Sequence, residues 1–251
     1  MKVRRFHTAA RAAAVLANEF AAALSERPTT VLGLPTGHTP VPVYRELIAL
    51  YRKGLIDFSK ARTFNLDEFV GISGDDERSY QSFMRRHFFA HVNVPRRRQH
   101  FLDGRAADLA AECQRYERVL RRAGGLDLLL LGIGVNGHIG FNEPADGLPG
   151  ATHEARLRQS TRRANRELFG NRTSLVPLSA LSLGMTEIFH ARRIVLLATG
   201  MAKADAIARA VSGPITPRVP ASFLQLHGNV SVWLDDEAAA RLDRLHRHSG
   251  G

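Results

Sequence analysis

The stretch LDLLLLGIGVNGHIGFNEP, residues 126–144, decides the fold of this 251-residue chain. It opens with a nearly continuous apolar run, which is typical of a strand buried on both faces of a parallel sheet. The run then breaks into glycines, which let a backbone turn sharply and come close to a ligand. Asn136, His138, Asn142 and Glu143 stand among and after the glycines. Because open α/β sheets bind ligands at the carboxyl ends of their strands, the stretch predicts a site there.

A plainer interpretation of this stretch is a glycine-rich turn whose polar side chains face water. The functional interpretation is favoured because the histidine comes with a carboxylate five residues on, in a loop unusually rich in glycine. The stretch is not a dinucleotide-binding fingerprint. His138 and Glu143 stand where a pyrophosphate would need bare backbone amides.

Strand-like and helix-like segments alternate on both sides of the stretch. Hydrophobic periodicity predicts strands at 29–34, 61–65, 193–198 and 230–234, and helices at 9–26, 41–53, 79–90, 108–123, 182–190, 201–211 and 235–245. The alternation predicts one α/β domain over residues 1–251, with a Rossmann-like, doubly wound, mainly parallel sheet and helices on both faces. Residues at about 145–182 are the least regular part and predict a lid.

Two Thr-Gly loops at strand ends favour a phosphate ligand. In PTGHTP, residues 35–40, the backbone amides, the following helix N-terminus and the hydroxyls of Thr36 and Thr39 can face an anion. An ordinary strand–helix connection would look the same if that loop stood alone. A second Thr-Gly pair precedes Lys203, whose positive charge near a helix N-terminus needs an anionic partner. Together the two loops favour a sugar phosphate.

Asp67 and Glu68 follow the predicted strand at 61–65. Adjacent carboxylates at a strand end suit proton transfer, because the charge of one raises the pKa of the other. The alternative is a helix N-cap followed by an acidic first turn.

Composition narrows the class of protein. No apolar stretch is long enough to span a bilayer, and the alanine-rich N-terminal segment lacks the uninterrupted apolar core of a signal peptide. The single Cys113 excludes an internal disulfide and fits the cytoplasm. The net charge of +11 is compatible with nucleic-acid binding, but the arginines are scattered and no aromatic residues interleave with them. We therefore interpret the positive charge as solvated protein faces that attract anionic substrates. A genome that prefers arginine would give the same pattern.

Six motifs, in one order along nearly the whole chain, resemble the glucosamine-6-phosphate deaminase family, within the wider group that includes 6-phosphogluconolactonase. They are LGLPTGHTP (32–40), TFNLDEFVGI (63–72), SYQSFMRRHFF (79–89), GIGVNGHIGFNEP (132–144), TGMAK (199–203) and ASFLQLH (221–227). TFNLDEFVG and NGHIGFNEP are similar to the deaminase branch. The resemblance implies conversion of glucosamine 6-phosphate and water to fructose 6-phosphate and ammonia, with no cofactor and no metal.

The resemblance also assigns roles by position. Asp67 matches the base that moves the C2 proton to C1, with Glu68 as the second candidate, and His138 matches the residue that opens the pyranose ring. Glu143 and Asn136 would orient His138. The expected substrate and phosphate contacts are Thr36, Gly37, His38, Thr39, Lys203, Arg166 and Glu68.

Some positions depart from the family pattern. His38 stands where glycine or serine is usual, so its side chain would either donate to the phosphate or crowd it. Many members carry aspartate where this chain has Asn136. The family's lid arginine would fall at Glu167, and we expect a small shift of the lid to present Arg166 instead. ATHEARLRQ (151–159) replaces part of an allosteric site, which predicts no activation by an N-acetylated sugar phosphate.

Three alternatives to the deaminase stay open at this stage. They are a sugar-phosphate lactone hydrolase, a relative acting on another amino sugar, and a non-catalytic sugar-phosphate sensor. The expected partner is a small amino-sugar phosphate rather than nucleic acid or a membrane. The expected location is the cytoplasm, and a homo-oligomer is compatible with the sequence.

Overall fold

The computed structural model describes residues 1–242. Its strands are β1 (Lys2–Phe6), β2 (Val31–Leu34), β3 (Arg62–Asn65), β4 (Asp67–Phe69), β5 (Gln99–His100), β6 (Leu128–Leu131), β7 (His153–Arg156), β8 (Ser179–Ser182), β9 (Ile194–Ala198) and β10 (Val230–Asp235). Its α-helices are α1 (Ala9–Glu26), α2 (Val41–Arg52), α3 (Tyr80–His87), α4 (Leu109–Arg122), α5 (Gln159–Ala164), α6 (Met185–Phe189), α7 (Ala204–Ser212) and α8 (Asp236–Ala239). Residues 243–245 of the predicted last helix lie outside the described range.

The central sheet has seven strands in the order β1-β10-β9-β6-β2-β3-β5, all paired in parallel. β6 comes from the stretch that decided the fold, and its four leucines are all buried. Leu129 and Leu131 belong to a core cluster that includes residues of α4 and α7, while Leu128 and Leu130 belong to one that includes residues of α1 and α2. Helices therefore cover both faces of the sheet, and the predicted doubly wound α/β fold is confirmed.

Local signals explain where several helices begin. Thr8, Ser79 and Asp108 each precede a helix and accept a backbone N–H from its first turn with a side-chain oxygen. Such caps satisfy amides that have no partner within the helix. At Ser79 the side-chain hydroxyl oxygen accepts the backbone N–H of Ser82 at 2.9 Å.

A second sheet was not predicted. It has the order β4-β8-β7, is antiparallel, and draws two of its strands from residues 145–182. Those residues also form α5 and two short 3-10 helices, so the expectation of an irregular segment is wrong in detail. The reason is that β7 is only four residues long and buries only Ala155. So short and polar a segment has no alternation of apolar and polar residues from which a strand could be predicted.

The predicted helix at 182–190 is also corrected. Ser182 ends β8, and the helix spans only Met185–Phe189. Between them the backbone of Gly184 passes so close to the carbonyl oxygens of Gly150 and Ala151 that a Cβ atom there would clash with both. Glycine therefore allows the strand to turn directly into the helix at this point.

A third core cluster joins the small sheet to the segment predicted as a lid. Phe169 contacts Phe69 of β4 edge-on at a ring-centroid distance of 5.4 Å, and Phe141 and Tyr80 pack against the same ring. Buried aromatic contacts of this kind stabilise the packing of the segment on the sheet. Within residues 1–242 no helix combines the length and the apolar character that a membrane crossing requires.

Candidate active site

A cleft of about 640 Å³ lies at the carboxyl ends of the central strands. Its walls are the loop after β2, the glycine-rich loop after β6, the start of α3, and α5 with the 3-10 helix Arg166–Phe169. Of the predicted site residues, the following line it: Thr36, Gly37, His38, Thr39, Asp67, His138 and Lys203. The other predicted residues are not among the lining residues: Glu68, Asn136, Glu143 and Arg166. The sheet thus gathers side chains far apart in the sequence at the edge where open α/β folds bind ligands.

Asp67 lies where the chain leaves the large sheet and enters the small one. β3 ends at Asn65, and β4 begins at Asp67 opposite Ser182 of β8. The side chain lines the cleft, yet the residue is only 7% exposed. Burial, and then the charge of Glu68, raise the pKa of Asp67 to about 8. A carboxyl group in such a place can both take and return a proton near neutral pH.

Glu68 has a different function from the one expected of it. Its carboxylate accepts the backbone N–H groups of Phe69 and Tyr80 with Oε1, at 2.9 and 3.0 Å, and that of Gln81 with Oε2 at 3.0 Å. Burial raises the pKa of Glu68 to about 7, although these hydrogen bonds oppose the shift. Glu68 does not line the cleft and instead holds the N-terminus of α3. The structure therefore gives Glu68 a structural contact, and a contact of Glu68 with the substrate stays a prediction.

His138, Glu143 and Asn136 form a connected group in the glycine-rich loop. Glu143 Oε2 lies 3.6 Å from Nδ1 of His138, and it accepts a hydrogen bond of 2.8 Å from Nδ2 of Asn136. The Oδ1 atom of Asn136 accepts the backbone N–H of His138 at 3.2 Å. Asn136 therefore fixes Glu143 and the loop backbone, and reaches the imidazole only through Glu143.

The Glu143 carboxylate is strongly stabilised as an anion. Burial opposes ionisation, but hydrogen bonding and charge from His138, together with hydrogen bonds from Thr161 and Asn136, lower the pKa of Glu143 to about 2. The hydroxyl of Thr161 also lies 3.3 Å from Nδ1 of His138. An ionised carboxylate beside Nδ1 favours the tautomer with a proton there, which leaves Nε2 for a ligand. Sequence reasoning missed Thr161, because α5 was not predicted.

The ring of His138 needs a glycine beneath it. A Cβ atom on Gly134 would clash with three atoms of the imidazole, so only glycine lets the histidine lie flat against the loop. This contact explains why the loop combines glycines with a histidine. It also couples the position of the imidazole to the backbone directly after β6.

The predicted phosphate loop lines the cleft together with the predicted lysine. Gly37 has a φ of +92°, a conformation that glycine adopts without strain, so the loop can curl at that point. The Nζ atom of Lys203 donates to the carbonyl oxygen of Ile133 at 2.7 Å, and burial lowers the pKa of Lys203. Lys203 ends a 3-10 helix, Met201–Lys203, directly before α7, so the predicted helix at 201–211 begins later than expected.

In the predicted lid, Glu167 faces the cleft, whereas Arg166 was expected there. Glu167 lines the cleft and Arg166 does not. The Glu167 carboxylate lies 3.1 Å from Nε2 of His38 in the phosphate loop. The two departures from the family pattern therefore contact each other across the cleft, and the phosphate contact of Arg166 stays a prediction that this arrangement does not favour.

The cleft has further lining residues that the sequence did not single out, among them Arg45 of α2 and Arg86 and His87 of α3. Arg86 and His87 belong to the motif SYQSFMRRHFF, but the sequence does not show which side of that helix faces the cleft. In residues 1–242, no group of three or more histidine, cysteine, aspartate or glutamate side chains is arranged to hold a metal ion. Cys113 is buried, and burial raises its thiol pKa to about 11.

Comparison with known proteins shows likeness over nearly the whole chain. The family model described as glucosamine-6-phosphate isomerases/6-phosphogluconolactonase matches residues 4–233. A glucosamine-6-phosphate deaminase of Thermoanaerobacter sp. (strain X514) is 46% identical over 217 residues, 86% of this chain and 85% of that protein. One from Clostridium botulinum (strain Loch Maree / Type A3) is 44% identical over 233 residues, 93% of either chain.

Solved structures show the same likeness. A monomeric glucosamine-6-phosphate deaminase matches with a TM-score of 0.93 and 41% identity, over 96% of this chain and 100% of that one. A 6-phosphogluconolactonase from Leishmania guyanensis matches with a TM-score of 0.70 and 23% identity, over 94% and 97% of the two chains. The second likeness is one of fold alone.

Proposed function

The chain belongs to the glucosamine-6-phosphate isomerase and 6-phosphogluconolactonase family, and we propose that it converts glucosamine 6-phosphate and water to fructose 6-phosphate and ammonia. One observation carries the proposal: Asp67 and His138 line one cleft with the loop 35–40 and Lys203, and Glu143 lies behind His138, 3.6 Å from its Nδ1. A proton carrier, a ring-opening group and a phosphate cradle thus surround one volume. The relatives named glucosamine-6-phosphate deaminase support this reaction over the others that the fold hosts.

In the proposed reaction His138 opens the sugar ring. Nε2 takes the proton of the C1 hydroxyl and gives a proton to the ring oxygen, so the C1–O5 bond breaks and the open-chain aldehyde forms. Histidine suits this exchange because its ordinary pKa lies near neutral pH. Glu143, ionised beside Nδ1, supports the imidazolium form and keeps the ring in position.

Asp67 then acts on the open chain. The carboxylate takes the proton from C2 and electrons move toward the C1 aldehyde. The C1 oxygen takes a proton from the substrate's own C2 ammonium group, so an enolamine with a C1 hydroxyl results. The same carboxyl returns the proton to C1, which leaves an imine at C2. Water adds to that imine and ammonia departs, giving fructose 6-phosphate. The raised pKa of Asp67 makes both halves of the transfer accessible near neutral pH.

We further propose that loop 35–40 and Lys203 hold the phosphate at the far end of the sugar from C1. Thr36 and Thr39 offer hydroxyl groups, Gly37 offers an open backbone, and Lys203 offers positive charge. Residues 145–182 act as the lid in this proposal, since α5 and Glu167 form one wall of the cleft. A cytoplasmic location fits this metabolic substrate and the free Cys113. A homo-oligomer stays a prediction, which measurement of the molecular mass by light scattering tests.

A coupled assay separates the proposed function from its alternatives. Purified protein is given glucosamine 6-phosphate, and ammonia and fructose 6-phosphate are measured together. We expect equal amounts of both products. Release of acid from 6-phosphogluconolactone without deamination would indicate the lactone hydrolase, and binding of glucosamine 6-phosphate without turnover would indicate a sensor.

Glu167→Gln tests the carboxylate at the phosphate end of the cleft. The change removes a negative charge that would repel a phosphate dianion, and it replaces the carboxylate that contacts His38. Because both side chains are largely exposed, we expect a modest effect: KM for glucosamine 6-phosphate falls up to about fivefold, or stays unchanged, with kcat unaltered. Arg166→Ala is the matched control and should be silent, since Arg166 does not line the cleft. A rise in KM with Glu167→Gln would mean that Glu167 helps to hold the substrate.

Exhaustive chelation tests the metal-free mechanism. His138 and Glu143 could be mistaken for metal ligands, but their spacing is not usual for zinc and no cysteine accompanies them. We expect the rate of deamination to be unchanged after dialysis against a strong chelator. Loss of activity that zinc restores would overturn the mechanism.

A further inference from the structure

Three basic side chains line the same cleft as loop 35–40: Arg45 of α2 and Arg86 and His87 of α3, which we call the basic annex. Resting on the proposed function, we infer that the basic annex is a second binding subsite for a phosphate-type dianion, beside the primary phosphate loop and separate from it. Neither the family motifs nor the proposed reaction assigns these three residues a role.

The basic annex brings its charges together from two helices. Arg45 lies in the second turn of α2, which follows loop 35–40 directly, while Arg86 and His87 end α3. The His87 ring packs against Phe83 at a centroid distance of 4.4 Å. Burial, and then the nearby charges of Arg86, Arg45, His38 and His91, lower the pKa of His87. All three side chains line the same cleft, so they face one volume.

The positive charge of the annex is not neutralised by the protein. Within the described residues, Asp67 and Glu167 are the acidic side chains of the cleft, and Glu167 is already paired with His38. Arg86 donates to the backbone carbonyl of Glu77 at 3.0 Å rather than to a carboxylate. In residues 1–242 neither Arg45 nor Arg86 has an ion pair, whereas the adjacent Arg85 lies 3.3 Å from Asp75.

Phosphate chemistry matches such a group best. A guanidinium offers parallel N–H donors that fit phosphate oxygens, and two of them with an imidazole suit a dianion. The lid brings no arginine to the cleft, so α2 and α3 supply its guanidinium groups. The dianion has two sources: the phosphate of the incoming sugar before it reaches loop 35–40, or a separate anion bound together with the substrate.

The double variant R45Q/R86Q tests the subsite. Both arginines are exposed, so the fold should tolerate the change. The matched control is R118Q/R122Q on α4, which removes the same charge from exposed arginines that do not line the cleft. Deamination of glucosamine 6-phosphate is measured for both at about 20 mM and about 500 mM ionic strength. Electrostatic attraction is weakly screened at the first value and strongly screened at the second.

If the incoming substrate docks in the annex, R45Q/R86Q lowers kcat/KM roughly five- to twentyfold at low ionic strength through KM, and the loss shrinks at high ionic strength. kcat stays unchanged, and R118Q/R122Q resembles the unmodified enzyme. If a separate anion binds there, inorganic phosphate inhibits the unmodified enzyme with a mixed pattern. In R45Q/R86Q that inhibition becomes purely competitive, because only the primary loop still takes phosphate.

The inference is overturned if R45Q/R86Q matches R118Q/R122Q in kcat/KM and phosphate inhibition has the same pattern in all three proteins. A failure of the proposed function looks different. In that case the unmodified protein releases no ammonia at any ionic strength.

Discussion

Asp67→Asn should lower kcat by about two to four orders of magnitude, the usual scale for losing a positioned base. The amide keeps the shape of the carboxyl group but cannot accept the C2 proton. Because the Asp67 side chain is buried at the cleft floor and the shape is retained, KM should change little. The measurement is steady-state release of ammonia, and near-normal turnover would remove Asp67 from the mechanism.

The pH profile gives this prediction a second readout. Asp67 must be ionised to act as the base, and its pKa is raised to about 8, so kcat/KM should rise with pH and level off above that value. The charge of Glu68 contributes to the raised pKa. Glu68→Gln should therefore move the rising limb to lower pH while most of the activity remains. A Glu68→Gln protein as inactive as Asp67→Asn would make Glu68 the base.

His138→Gln should lower kcat by about two to three orders of magnitude, because glutamine can hydrogen-bond to the sugar but cannot exchange a proton with the ring oxygen. The matched variant is Glu143→Gln. It keeps the imidazole and removes the anion beside Nδ1, so an intermediate loss of about one to two orders of magnitude is expected.

Thermal unfolding of both variants separates a chemical effect from a packing effect. His138 is partly exposed at the cleft, so its replacement should leave the melting temperature near that of the unmodified protein. A His138→Gln protein with full turnover would indicate that the ring opens without enzymatic help. In that case the His138–Glu143 pair would have a structural role.

Five of the seven strands of the central sheet were predictable because they are short runs, mostly apolar, that end in glycine or polar residues. β6 is the clearest example, with four buried leucines before the glycine-rich loop. The edge strands β1 and β5 were not predicted, since β1 is largely exposed and β5 is two residues long. The small sheet was not predictable from the same pattern. β4 is only three residues long, and two of its positions are Asp67 and Glu68, both of which are buried. A pattern of apolar residues cannot report strands that bury carboxylates.

At the site, the sequence could not show which of two adjacent residues faces the cleft. The sequence marked Asp67 with Glu68, and Arg166 with Glu167, but one member of each pair lines the cleft and the other does not. Asp67 and Glu68 lie in β4, where successive side chains point to opposite faces, so a shift of one residue exchanges the two roles. Arg166 and Glu167 lie in a 3-10 helix, whose rotation decides which of them faces the cleft. Only the pairing of Asp67 with Ser182 settles the first pair, and that contact joins residues distant in the chain. The basic annex went unnoticed for a similar reason, since it depends on how α2 and α3 are rotated about their axes.

The edge strand β1 has a consequence for the order in which the molecule assembles. Its pairing partner is β10, with Lys2 opposite Ser231 and Phe6 opposite Asp235. During synthesis the segment that becomes β1 emerges early, yet its hydrogen-bonding neighbour is made more than two hundred residues later. Closing so long a loop is slow, so this edge should be completed last, after β2, β3 and β6 have nucleated the centre. In hydrogen-exchange pulse labelling of refolding protein, the amides of β1 should be among the last to gain protection.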